Sequence, residues 1–160
     1  MDSLLVYLSV FGNTKKVAEA IAEVLESEGP VRVIGADQLT ASHFPVDLVV
    51  MGSPTHRMSL PKEIRPVFDT LSKRILRGTP TAAFDTCYKM SAFLARFTAA
   101  KRLDRKLRKL GGKRVLPPES FYVLEREGPL YEGEIERARQ WAGLILERLE
   151  AQGFLIQDAL

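Results

Sequence analysis

Three short stretches hold most of the residues able to do chemistry in this 160-residue chain. The first is Ser9-Val10-Phe11-Gly12-Asn13-Thr14, set between the apolar run that begins at Leu4 and a helical spacing of apolar residues from Val17. Hydroxyl, amide and glycine residues at such a junction suit an anion. A helix N-terminus offers free backbone N–H groups and the positive end of a dipole. Gly12 lets a ligand approach the backbone closely. Ser9, Asn13, Thr14 and the loop amides are the candidate donors. The competing reading is an ordinary strand–turn–helix in which Asn13 or Thr14 merely caps the helix. Those six residues alone do not choose between the two. The second stretch, Ser53 to Met58, and the third, Asp85 to Met90, also follow apolar runs, so the choice depends on whether one fold brings the three together.

Composition narrows the chemistry. An apolar share of 46% and a charged share of 27% are ordinary for a globular domain of this length. The single Cys87 excludes an intrachain disulfide and a cysteine-based zinc site. His43 and His56 stand apart without companions at ligand spacing, so no metal site is expected. No apolar run approaches a membrane span, and the N-terminus opens directly into a strand, so a cytoplasmic protein without a membrane segment is expected. The net charge of +3 is mild but uneven: Lys101 to Arg114 holds eight basic residues against Asp104 alone. Such a run is most often a solvated helix face. An acidic partner is the sharper reading, and nucleic acid is not expected.

The elements that position the three stretches follow from periodicity. A helix is expected from about Asn13 to Glu28, ended by Gly29-Pro30, then a strand at Val31–Ile34 and a loop or single helical turn over Asp37–Phe44. Val46–Met51 reads as a strand buried on both faces. Ile64, Val67, Phe68, Leu71 and Ile75 mark a helix with Pro61 in its first turn. Thr81–Phe84 is another strand, and Leu94 to Leu110 a long helix closed by Gly111-Gly112. Lys113–Leu116 and Phe121–Leu124 read as two parts of a final strand interrupted by Pro117-Pro118. Ile135 to Leu149 carries the stripe of a last helix. This alternation predicts one α/β domain over residues 1–160. It is doubly wound in three layers, with a five-stranded parallel sheet of order 2-1-3-4-5. In that order ligands bind outside the carboxyl ends of strands 1 and 3, where all three stretches lie.

Several doubly wound families are excluded by their own chemistry. Receiver domains need acidic residues where Ser9 and Ser53 stand. Low-molecular-weight tyrosine phosphatases need a cysteine and an arginine framing the first loop. That loop also lacks the GxxxxGK[ST] and GxGxxG strings of mononucleotide and dinucleotide folds.

What remains resembles the flavodoxin family, on four segments in the right order that span essentially the whole chain. SVFGNT with KKVAEAIA is similar to that family's phosphate loop and first helix, VVMGSPT to its third strand and second flavin loop. AFDTCY resembles its fourth strand and third flavin loop, and LRKLGGKRV the entry to strand 5. The resemblance implies FMN, its phosphate on Ser9, Val10, Phe11, Gly12, Asn13 and Thr14. Pro54, Thr55, His56 and Arg57 would lie along one side of the flavin ring. Asp85, Thr86, Cys87, Tyr88 and Lys89 would line the other, with Tyr88 stacking on it. Phe11 stands where the family pattern has a threonine, and no glycine occurs from Ser53 to Leu60. Arg57 and Lys89 flanking the ring would ease its second reduction.

The implied function is electron transfer through bound FMN, with a redox partner protein, an unassigned oligomeric state and no catalytic side chain. Two alternatives remain open on the same scaffold. One is a flavin-dependent oxidoreductase acting on a quinone, a porphyrinogen or NAD(P)H. The other is a flavin-free interaction domain presenting the basic Lys101–Arg114 helix.

Overall fold

A computed structural model describes residues 1–155. In its sheet β1 (Ser3–Tyr7) is flanked in parallel by β2 (Val31–Gly35) and β3 (Leu48–Pro54). β4 (Pro80–Cys87) lies beyond β3, and the last position is shared by β5 (Lys113–Arg114) and β6 (Glu119–Tyr122), both parallel to β4. The order β2-β1-β3-β4-β5 is the doubly wound order expected, with the final strand split around Pro117-Pro118. Proline cannot donate to a ladder, which accounts for the break.

β1, β3 and β4 are apolar on both faces because helices cover both. Successive residues point to opposite sides. Leu5, Val50 and Phe84 face the layer of α1 (Asn13–Leu25) and α4 (Glu134–Ala151). Leu4, Val6, Val49 and Met51 face the layer of α2 (Arg65–Asp69) and α3 (Ala99–Lys109). On the first side Phe84, Phe121 and Trp141 meet edge to face, with ring centroids 6.0–6.2 Å apart. Each such pair adds about 0.5–1.5 kcal/mol beyond burial. Glu134 fastens α4 to β6, its carboxylate accepting from the Tyr122 N–H at 2.7 Å and pairing with Arg137.

Several boundaries differ from the sequence-based expectation: α1 ends at Leu25 with a 3-10 turn to Glu28, β5 stops at Arg114, and β6 lies two residues earlier than Phe121–Leu124. β3 and β4 each run three residues further than Met51 and Phe84. Gly52 reads as a loop residue, yet it sits in β3 opposite Phe84, whose ring occupies the space that a Cβ would need. Ser53, Pro54, Asp85, Thr86 and Cys87 are therefore strand residues. The helix expected from Ile64 to Ile75 is only a 3-10 turn at Lys62–Ile64 followed by five-residue α2. Val67, Phe68 and Leu71 still point inward. The Thr70 hydroxyl, however, donates to the Val67 carbonyl at 2.9 Å, and the next N–H groups bond three residues back, tightening the chain into turns. The long helix from Leu94 is divided at Thr98, whose backbone is extended. Thr55 Oγ1 and Asp85 Oδ2 accept from the N–H groups of Ala99 and Ala100, so α3 begins against the carboxyl ends of β3 and β4.

Candidate functional site

The first loop closes on itself around Ser9. Its hydroxyl accepts from the Gly12 N–H at 3.1 Å and more weakly from Lys15 at 3.4 Å. Gly12, at φ 90°, turns the chain into α1, and the space around its absent Cβ is open. The Asn13 and Thr14 side chains are buried and engaged elsewhere, so neither caps the helix. Asn13 Nδ2 donates to the Glu127 carbonyl at 3.1 Å, and the Thr14 and Thr86 hydroxyls meet at 2.8 Å. Among the described residues, the N–H groups of Asn13 and Thr14 have no partner. The first turn of α1 carries no acid and holds Lys15 and Lys16. Its free donors, dipole and lysines all favour a negative group.

The second segment makes a two-residue turn after β3. His56 and Ser59 exchange both backbone bonds, at 2.9 and 2.8 Å, and Arg57 and Met58 take φ values of 46° and 60°. That region costs a residue with a Cβ about 1–2 kcal/mol, which glycine would avoid. In the third segment Asp85 is fully buried at the end of β4, accepting from the Thr55 hydroxyl at 2.8 Å. Burial is the largest influence on its carboxyl and raises its pKa above the ordinary value. Cys87 is also buried, and burial, reinforced by Asp85, pushes its thiol up to about 12. A thiol so rarely ionised is a poor nucleophile.

A cleft open to solvent lies between these segments. From the first loop, Ser9, Val10, Phe11, Asn13 and Thr14 line it, and from the second Pro54, Thr55 and His56. Thr86, Cys87 and Tyr88 complete the opposite wall. Four of the residues singled out do not line it. Gly12 shapes the loop backbone, and Asp85 lies beneath, holding Thr55. Arg57 faces an adjoining depression, which shares Thr55, His56, Tyr88 and Arg126 with the cleft. Lys89 turns away, its ammonium 4.4 Å from the centre of the Tyr131 ring, so it does not flank the cleft as expected.

Val123 and Arg126 line the cleft without having been anticipated. Arg126 lies 5.9 Å from the centre of the Phe11 ring, on a turn that Asn13 ties down at Glu127. The signal was available: this turn also leaves the carboxyl end of a strand, β6. A doubly wound sheet with a cleft at the switch point between β1 and β3 belongs to the class that binds ligands outside the strand ends.

The flavodoxin domain family model matches residues 4–119, and the chain belongs to that family. A search of the curated proteins finds no match. Among solved structures, a flavodoxin from the domain Archaea superposes with a TM-score of 0.77 at 24% identity, covering 94% of this chain and 99% of that one. Oxidised flavodoxin 1 from Bacillus cereus gives 0.75 at 22% identity, covering 92% and 98%. Rubredoxin oxygen:oxidoreductase from Desulfovibrio gigas gives 0.72 at 19% identity, over 94% of this chain but 36% of that one. At these identities the superpositions show the fold alone.

Proposed function

We propose that the chain binds FMN in this cleft and works as an electron carrier, exchanging electrons with a redox partner protein. The observation that carries the reading is the first loop. Two unpartnered N–H groups and the positive end of a 13-residue helix meet at Gly12, whose Cβ side is open, and Lys15 and Lys16 stand in the first turn of that helix. That arrangement suits a phosphate without any arginine in the loop. Pro54, His56 and Tyr88 supply flat or apolar walls for a ring, and Tyr88 is free to stack because half of it is exposed. The residues present therefore fit the group. When bound, the flavin supplies the electron chemistry, and the protein supplies binding, orientation and electrostatic tuning.

Each residue then has a role that its geometry supports. Ser9 holds the loop closed through Gly12. Thr14 and Thr86 clamp the base of the cleft, and Thr55, held by buried Asp85, fixes the second wall. Phe11 and Arg126 stand together at the lip, where the guanidinium adds positive potential and position 11 offers no hydroxyl donor. No side chain is assigned to proton transfer.

The test is direct. The purified chain, or the chain mixed with FMN, is expected to show flavin absorbance and to quench FMN fluorescence. Gly12→Val is expected to weaken binding at least about tenfold, because a β-branched residue does not tolerate φ 90°. Absence of FMN binding would overturn the reading in favour of a flavin-free interaction domain. Steady turnover of a quinone with NAD(P)H would instead favour an oxidoreductase, and the depression beside the cleft gives that alternative its space.

A further inference from the structure

The molecule's charge is sorted by layer. Between Arg57 and Arg114 lie sixteen of the 23 Lys and Arg residues but only four of the 20 Asp and Glu. Two of those four acids are unavailable to this face, since Asp85 is buried and Asp104 is spent on Arg108 and Arg114. The opposite layer is different. There Lys15, Arg137 and Arg139 are each paired with glutamates.

A groove between α2 and α3 collects the unpaired cations. Arg65, Arg102, Arg105, Lys106 and Lys109 line it with Ser59 and Leu60, and no carboxylate does. Among the described residues none of the five makes an ion pair; Lys106 rests over the Phe68 ring, and the Arg102 Nε is buried without a partner. Five like charges held together in one groove repel one another, and an acidic surface laid on them would relieve that.

The groove is continuous with the cleft. Ser59 and Leu60 line both the groove and the depression beside the cleft, and that depression shares Thr55 and Tyr88 with the cleft itself. Just before α3, Phe93 is 62% exposed, with Leu94 and Phe97 also exposed beside it. Phe93 and Phe97 pack edge to face with centroids 6.0 Å apart. The helix that follows them is hydrogen-bonded to Thr55, so this apolar knob stands on the same rim. Exposed aromatic anchors beside a charged border are the anatomy of a protein-binding surface.

We propose that the α2/α3 face docks an acidic redox protein, seated on the groove cations and on Phe93 and Phe97, with its edge brought to the mouth of the cleft. The inference rests on the electron-carrier reading, because that reading asks for a partner holding a redox centre, which nucleic acid lacks. The charged face steers the approach and fixes orientation, and the aromatic residues hold the contact.

The test uses a small acidic [2Fe–2S] ferredoxin as probe, with basic cytochrome c as its opposite. Binding to the full chain is measured by calorimetry at about 20 and 300 mM salt, with and without added FMN. The ferredoxin is expected to bind at low salt, to weaken at least about tenfold at high salt, and to bind more tightly than cytochrome c. The exposed triple variant R65E/R105E/K109E should weaken it at least about tenfold and R65Q/R105Q/K109Q by less, while E147K on the far layer should change nothing. F93S/F97S should weaken binding at both salt concentrations. FMN affinity of the groove variants reports that they are folded. The proposal is overturned if ferredoxin does not bind at low salt, if the groove variants bind as wild type, or if a single-stranded oligonucleotide binds more tightly and loses its binding in the same variants. Retained docking without FMN binding would uphold the surface and sink the cofactor reading, so the two failures are separable.

Discussion

At the scale of single residues, Phe11 and Asp85 give sharp expectations. Phe11 sits at the lip with Arg126 rather than inside the loop, so its replacement restores a hydroxyl without disturbing the core. Phe11→Thr is expected to tighten FMN binding about fivefold, the worth of one hydrogen bond near 1 kcal/mol, read by flavin-fluorescence titration. Asp85 concerns stability. Its carboxyl holds a proton more strongly in the folded chain than in the unfolded one, where it titrates near 3.8. Its contribution is therefore most favourable below that value and declines as pH rises through the folded value. Glu134 has the opposite sign. Burial is the largest influence on it and pushes upward, but hydrogen bonds from Arg137 and Tyr122 outweigh it and lower the pKa, so its stabilisation is lost as pH falls below about 4.5. Comparing wild type with Asp85→Asn isolates the first effect. The stability of wild type relative to the variant, from urea unfolding, should fall as pH rises from 3.8 through the raised folded value and then level off. A flat difference would mean that Asp85 does not titrate with folding.

At the scale of elements, Gly52 explains both a boundary and a sensitivity. Because the Phe84 ring lies where a Cβ would stand, Gly52→Ala should destabilise the domain by about 1–3 kcal/mol, measured by urea or thermal unfolding. The same contact shows why the ends of β3 were illegible. Glycine before Ser-Pro carries every sign of a turn, and only the partner ring across the ladder reveals a strand. Most of the fold was legible: α1, α4, the split last strand and the strand order follow from apolar spacing, Gly-Pro stops and alternation. Helices α2 and α3 were not, because their apolar stripes run on past the residues at which side-chain hydrogen bonds from Thr70, Thr55 and Asp85 end or start them. The cleft was legible wherever a polar loop follows an apolar run. Arg126 escaped because Leu124 to Pro129 has the look of an ordinary charged turn, and Lys89 was misjudged because Tyr131, its partner, lies far along the chain.

At the scale of the whole molecule, one layer is crowded with cations, while in the other Lys15, Arg137 and Arg139 are paired with glutamates. Like-charge repulsion within the α2/α3 layer works against the folded state and is screened by salt. The Tm is therefore expected to rise between about 20 and 300 mM NaCl, and R65E/R105E/K109E should flatten that dependence, both measured by calorimetry. The uneven charge also means that the net value of +3 understates what a partner meets on that face.

The aromatic trio at the centre of the α1/α4 side has a spectroscopic consequence. Trp141 is the chain's one tryptophan, 4% exposed and wedged against Phe84 and Phe121. Its emission should be blue-shifted while α4 is seated on β4 and β6, and should move red when that seam opens. Ultraviolet fluorescence thus watches the closing of the C-terminal helix over the sheet. It does so from the face away from the basic groove, which leaves visible absorbance to follow events at the rim independently.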